Sequence, residues 1–170
     1  LRGGMRTVGI GALLGLADPI ADAIALYQHA AHLRKTCWQG GVSISFPRLQ
    51  PEPGGFAPPH MVSDRLLAQM IFAFRICFPD VPLVLSTRER PAFRDGMAGV
   101  GISKMSVASR TTVGGYAPGN AADDGQFQTS DARDVDAFCA MLRRKELEPV
   151  FKNWDSVYTN KADQRGPGGG

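Results

Sequence analysis

Four short polar segments carry the residue types that could do chemistry, and each follows an apolar run. They are GLAD (15–18), PRLQP (47–51), STRER (86–90) and SVASR (106–110). In PRLQP, Arg48 stands between Pro47 and Pro51. The first proline fixes its own φ and the second holds the residue before it extended, so the guanidinium leaves a stiffened chain. A fork of donors presented in that way suits a bidentate carboxylate. The structural alternative is an ion pair with Glu89 or Asp18.

STRER offers two hydroxyls, two guanidiniums and one carboxylate in five residues. In an extended chain neighbouring side chains point to opposite sides, so only part of this set can face one ligand. Ser86, Thr87 and Arg88 suit the amino and carboxylate groups of a small zwitterion; an ordinary capping network is the other reading. SVASR adds the hydroxyls of Ser106 and Ser109 among small residues that let a ligand approach the backbone. In GALLGLAD, Gly11 and Gly15 bracket Leu13 and Asp18 follows. Such a pattern can take a flat ring such as adenine, and it can equally make a tight turn.

Other chemistries are not supported. His29 and His32 lie within a helical run and His60 in a proline-rich stretch, so no Ser-His-acid set is in view. No phosphate-binding loop or dinucleotide fingerprint stands after a strand. Cys37, Cys77 and Cys139 are odd in number and far apart, which predicts reduced, buried thiols without metal-ligand spacing. No metal site is expected from these residues.

The elements that must position the rim segments alternate in type. Residues 8–14 read as a strand and 21–35 as a helix; 42–46 is a strand, and Ser63 caps a helix over 64–77. Residues 81–85 form a third strand, Pro91 opens a short helix through 97, 101–105 is a fourth strand, and 131–144 is a fourth helix. Four βα units call for a parallel sheet, and the class is α/β. Because every polar segment falls at the carboxyl end of a strand, where barrel enzymes place their chemistry, half of an eight-stranded barrel is favoured. Residues 120–131 read as a polar surface loop over that rim and the glycine-rich end as a flexible tail.

A chain of 170 residues with 44% hydrophobic and 21% charged residues is expected to form one soluble core. The net charge of +3 is scattered, so nucleic-acid binding is not indicated. No apolar run reaches the roughly 18 residues of a membrane span, and the start lacks the apolar core of a signal peptide. A cytoplasmic location is expected.

Taken together, VGIGALLGLAD, SISFPRLQP, LSTRERPAFRDG, GISKMSVASRTTVGGY and LEPVFKNWD resemble, in order and spacing, the carboxyl-terminal half of the 2-iminoacetate synthase family. These are radical SAM tyrosine lyases of thiamine biosynthesis; the sister lyase of hydrogenase maturation shares several motifs. The resemblance implies the carboxyl-terminal half of a (β/α)8 TIM-type barrel over residues 1–158, four βα units with a short extension, followed by a tail over 159–170. It implies S-adenosyl-L-methionine and a 4Fe–4S cluster as cofactors and cleavage of L-tyrosine to 2-iminoacetate and p-cresol. Thiazole synthase is the implied protein partner and flavodoxin or ferredoxin the reductant.

By the same resemblance Gly11, Leu13, Gly15 and Asp18 align with the cofactor's adenine side, and Arg48, Ser86, Thr87, Arg88, Ser106 and Ser109 with the amino-acid pocket. The family's SAGS becomes Ser106-Val107-Ala108-Ser109 here, with alanine in place of glycine. The cluster's CxxxCxxC does not occur in the sequence. The chain is therefore expected to be a fragment of a longer enzyme that does not bind the cluster by itself and is inactive alone. A non-catalytic half barrel that pairs with a cluster-bearing chain is the competing reading.

Overall fold

The computed structural model describes Leu1 and residues 3–50, 57–109 and 130–151. Strands β1 (Thr7–Gly11), β2 (Gly41–Ser45), β3 (Leu83–Leu85) and β4 (Lys104–Met105) alternate with helices α1 (Pro19–Thr36), α2 (Asp64–Cys77), α3 (Pro91–Met97) and α4 (Val135–Arg144). The strands form one parallel sheet in the order β1-β2-β3-β4. This is the α/β succession expected, and a helix crossover between each pair of neighbours is what parallel strands require. The polar loop and the tail expected at 120–131 and 159–170 lie outside the described residues, apart from Ser130 and Asp131.

Local signals explain the best-defined elements. Ser63 accepts a hydrogen bond from Leu66 N at 3.2 Å and starts α2, while Pro91 opens α3. The apolar face of α2 is buried through Leu67, Met70, Ile71 and Phe74. Helix α1 departs from its expected face: Leu26 and Ala30 are buried, whereas Ile24 and Tyr27 remain exposed. Helix α1, packed over β1 and β2, is covered on less of its circumference than α2. Helix α4 begins at Val135 and not at 131, because Asp134 is its cap and Asp131 is engaged elsewhere.

The register gives the sheet two unlike faces. Val42 and Ile44 of β2 and Leu83 and Leu85 of β3 are buried against the helices. Thr7, Gly9, Gly11, Ser43, Ser45, Val84 and Lys104 share the opposite, open face. The hydroxyls of Ser43 and Ser45 reach the carbonyls of Val8 and Ile10 at 3.5 and 3.4 Å. Such a polar face is unusual on a parallel sheet, which is normally apolar on both sides.

Candidate rim site

Beyond the last ladder pair of β1 and β2 the chains stay together. Leu14 N donates to Pro47 O at 2.8 Å and Leu49 N to Leu14 O at 2.9 Å. Pro47 has no N–H to give, but its carbonyl takes Leu14's, so the PRL segment is held at the strand end. Arg48 consequently turns to the helix side with Phe46 and is 4% exposed. Its Nε meets both Glu89 oxygens at 3.0 Å, Nη2 meets Glu89 Oε2 at 2.6 Å and also Asp64 Oδ1, and Nη1 reaches Val62 O at 2.7 Å.

The fork expected to hold a ligand carboxylate is thus filled by protein carboxylates. Glu89 was the anticipated alternative; Asp64 takes the place suggested for Asp18. Burial alone lowers the Arg48 pKa, but the hydrogen bonds and charges of Glu89 and Asp64 outweigh it and the net shift is upward. Arg90 completes the cluster through Asp64 Oδ2 at 2.6 Å, and Phe93 lies 5.4 Å beneath the Arg48 guanidinium.

STRER is not extended. Glu89 N returns to Ser86 O at 3.4 Å and Arg88 N to Ser86 Oγ at 3.4 Å, which makes a turn. Burial sorts its members: Thr87 and Glu89 are buried, Ser86 and Arg88 half-buried, Arg90 exposed. Ser106, two residues past Lys104, continues the open face, and its Oγ accepts from Thr87 N at 3.2 Å. Ser86, Arg88 and Ser106 are therefore gathered at the rim. Ser109 is half-buried and follows Ala108, whose φ is 51°. The family's glycine at that place matches a left-handed backbone, which supplies a conformational reason for it.

The GALLGLAD residues divide. A Cβ on Gly11 would sit 2.6 Å from Ser45 Oγ and 2.7 Å from Ser45 O, so its lack of a side chain is demanded by the neighbouring strand. Gly15 has φ 110° in a buried turn whose carbonyl accepts from His60 N at 3.1 Å. Asp18 caps α1, accepting from Ile20 N and Ala21 N at 3.0 and 2.8 Å. Leu13 and Leu16 present exposed apolar side chains at this corner.

Sequence reasoning missed a second charge cluster. Arg94 of α3 is fully buried; Nη1 donates to Asp131 Oδ2 and Nη2 to Ser106 O. Arg133 meets Asp131 at 2.8 and 2.7 Å and Asp95 at 3.1 and 2.7 Å, and both arginines stack on Phe138. Burial lowers the Arg94 pKa and the charge of Asp131 offsets only part of that. Arg133, held by Asp131 and Asp95, is shifted upward.

The cysteines correct another expectation. Cys139 is buried, but Cys37 is half-buried at the end of α1 and Cys77 is exposed at the end of α2. A position in the final turn of a helix lets a thiol face solvent whatever its hydropathy. Among the described residues no His, Cys, Asp and Glu side chains gather as a metal site, and the residues present do not fit an iron–sulfur cluster. Nor is any described helix long and apolar enough to cross a membrane.

Residues 45–148 match the Biotin and Thiamin Synthesis associated domain. The chain belongs to this domain family. It is similar to 2-iminoacetate synthase of Escherichia coli (strain K12), 42% identical over 165 residues, 96% of this chain and 43% of that protein. The Salmonella typhimurium (strain LT2) 2-iminoacetate synthase is 40% identical over 156 residues, 91% of this chain and 41% of that protein. The chain thus spans less than half the length of the curated relatives it matches.

Among solved structures, the crystal structure of HydG, a maturase of the FeFe-hydrogenase, superposes with a TM-score of 0.81 at 32% identity, covering 94% of this chain and 34% of that one. HydG from Carboxydothermus hydrogenoformans gives 0.76 at 33% identity, covering 88% and 34%. The parallel four-stranded sheet with its helices is consistent with half of a barrel of this kind.

Proposed function

We propose that this chain is the carboxyl-terminal half barrel of a radical SAM lyase that cleaves the Cα–Cβ bond of L-tyrosine to 2-iminoacetate and p-cresol for thiazole formation in thiamine biosynthesis. Identity to the 2-iminoacetate synthases supports the reaction class. The observation that carries the reading is the rim itself: Ser86 and Ser106 stand at the carboxyl ends of the neighbouring strands β3 and β4, with Arg88 in the turn that follows β3. Hydroxyls and a guanidinium are donors that suit the zwitterionic head of an amino acid. Ser43, Ser45 and Lys104 give the substrate a polar floor.

S-adenosyl-L-methionine, cleaved reductively at a 4Fe–4S cluster, supplies the hydrogen-abstracting radical when bound. Leu13 is the residue here that fits the adenine face, with the Gly11 backbone beside it; Gly15 and Asp18 shape the turn that carries Leu13. Cluster ligation is assigned to the length of the relatives that this chain does not span, so the chain alone is inactive. The protein's part is to orient tyrosine and exclude side reactions. Arg48 serves by holding the rim together rather than by gripping substrate. Thiazole synthase is the receiving partner, and flavodoxin or ferredoxin the electron donor.

In the full-length enzyme with cluster, SAM and reductant, p-cresol is expected from tyrosine, and Arg88→Lys should lower it at least about tenfold while SAM cleavage persists uncoupled. Absence of p-cresol from the unaltered enzyme would overturn the reading. The likeness to HydG favours a second reading, a related maturase, which full-length enzyme assays of the end products of tyrosine cleavage would distinguish.

A further inference from the structure

Thr87, Ser106, Arg94 and Asp131 form a closed circuit. Thr87 N donates to Ser106 Oγ at 3.2 Å, and Thr87 O accepts from Asp131 N at 3.0 Å. Arg94 closes the ring, donating to the Ser106 carbonyl with one terminal nitrogen and to the Asp131 carboxylate with the other. The ends of β3 and β4 and the segment before α4 are thereby tied at one point.

We infer that Arg94 and Asp131 are positioning residues of the amino-acid site, fixing Ser106 and the Thr87 backbone from behind without touching the ligand. The inference rests on the function proposed above for the identity of that ligand. Three features favour positioning over simple stabilisation. Arg94 Nε is buried without a partner. An orphaned buried donor is destabilising, so the guanidinium is oriented for the rim carbonyl and not for its own full satisfaction. Asp131 is held from its far side by Arg133, which is itself anchored on Asp95, so the pair cannot swing together.

The third feature is chemical. Ser106 Oγ already accepts the Thr87 N–H, and no described residue accepts its own hydrogen. A serine in that state keeps its O–H as a donor, suited to a carboxylate. Lysine at position 94 would keep the charge but could not hold two acceptors in one plane.

The test uses the full-length enzyme and two readouts: L-tyrosine affinity by calorimetry without reductant, and hydrogen exchange at the Thr87 amide by mass spectrometry. Arg94→Lys, Asp131→Asn and Ser106→Ala should each weaken tyrosine binding about tenfold, and the first two should also speed Thr87 exchange. Arg94→Lys combined with Ser106→Ala should bind no more weakly than Ser106→Ala alone. If Arg94→Lys fails to fold, Asp131→Asn, which keeps the shape, carries the same test. Parent-like tyrosine affinity with faster exchange, unchanged exchange, or additive losses in the double variant would each overturn the inference. If the parent itself binds no tyrosine, it is the proposed function that falls, and Thr87 exchange then decides the circuit by itself.

Discussion

The rim carries two charge clusters of equal formal charge, two arginines and two acids each. Arg48 and Arg90 meet Asp64 and Glu89; Arg94 and Arg133 meet Asp95 and Asp131. They differ in what else they touch. The first engages all three Arg48 nitrogens and ties β2, the start of α2 and the turn after β3, and the Arg48 guanidinium bonds none of the rim serines. The second leaves Arg94 Nε unpaired and reaches through to the backbone of Ser106. Equal charge inventories therefore support different tasks: a satisfied cluster fastens elements, while a partly satisfied one places a neighbour.

The largest expected effect breaks the first cluster. Arg48→Ala would leave the Glu89 carboxylate, 1% exposed, without its cation. Removing one partner of a buried pair costs about 3–5 kcal/mol, whereas replacing both by apolar residues of similar volume is often neutral. Urea unfolding of the full-length enzyme should show that loss for Arg48→Ala and recover most of it in Arg48→Met combined with Glu89→Leu. Tyrosine affinity of whatever remains folded should be unchanged. A folded Arg48→Lys protein that has lost tyrosine would instead put Arg48 in the pocket and erase the contrast between the clusters.

A smaller effect sharpens it through pH. Burial raises the Asp131 carboxyl, but the hydrogen bonds from Arg133 and the charge of Arg94 outweigh it and hold the group below its usual range. Asp64 is likewise raised by burial and brought lower by Arg48 and Arg90. A depressed carboxyl contributes stability that is fully present above its unfolded value of about 3.9 and is lost as pH falls through the folded one. Asp131 has no exposed side-chain surface, while Asp64 is 38% exposed and screened by solvent. Midpoints of urea unfolding should therefore fall between about pH 5 and pH 2, and Asp131→Asn should flatten that limb more than Asp64→Asn. Equal flattening would mean that burial does not distinguish the clusters.

The two clusters were not equally legible. Arg48 stands out because prolines flank it in the sequence, and Glu89 was already a candidate partner. Helices α2 and α3 declare themselves through Ser63 and Pro91, whose effects are local. Arg94 sits in a seven-residue helix, PAFRDGM, where an arginine reads as solvent-facing; its partner is 37 residues away. In DARD both aspartates can cap a helix, and local pattern cannot tell that Asp134 does so while Asp131 turns to the arginines. The turn in STRER was hidden for the same reason, since its residues carry no glycine or proline to announce it.

The smallest effect concerns the backbone between the two serines of the fourth rim segment. Ala108 holds φ at 51°, a left-handed conformation, immediately beyond the residues that the second cluster positions. For a residue with a Cβ that conformation costs roughly 1–2 kcal/mol, and glycine escapes the cost but gives back about 0.5–1 kcal/mol in unfolded-state entropy. Ala108→Gly should then stabilise the protein by up to about 1 kcal/mol, read as a shift in urea midpoint at unchanged slope. Because the substitution relieves strain without moving Ser106, which Arg94 and Thr87 hold independently, tyrosine affinity should stay within about twofold. A stabilised protein with markedly weaker binding would mean that the strain at Ala108, and not the Arg94–Asp131 pair, sets the position of the rim serines.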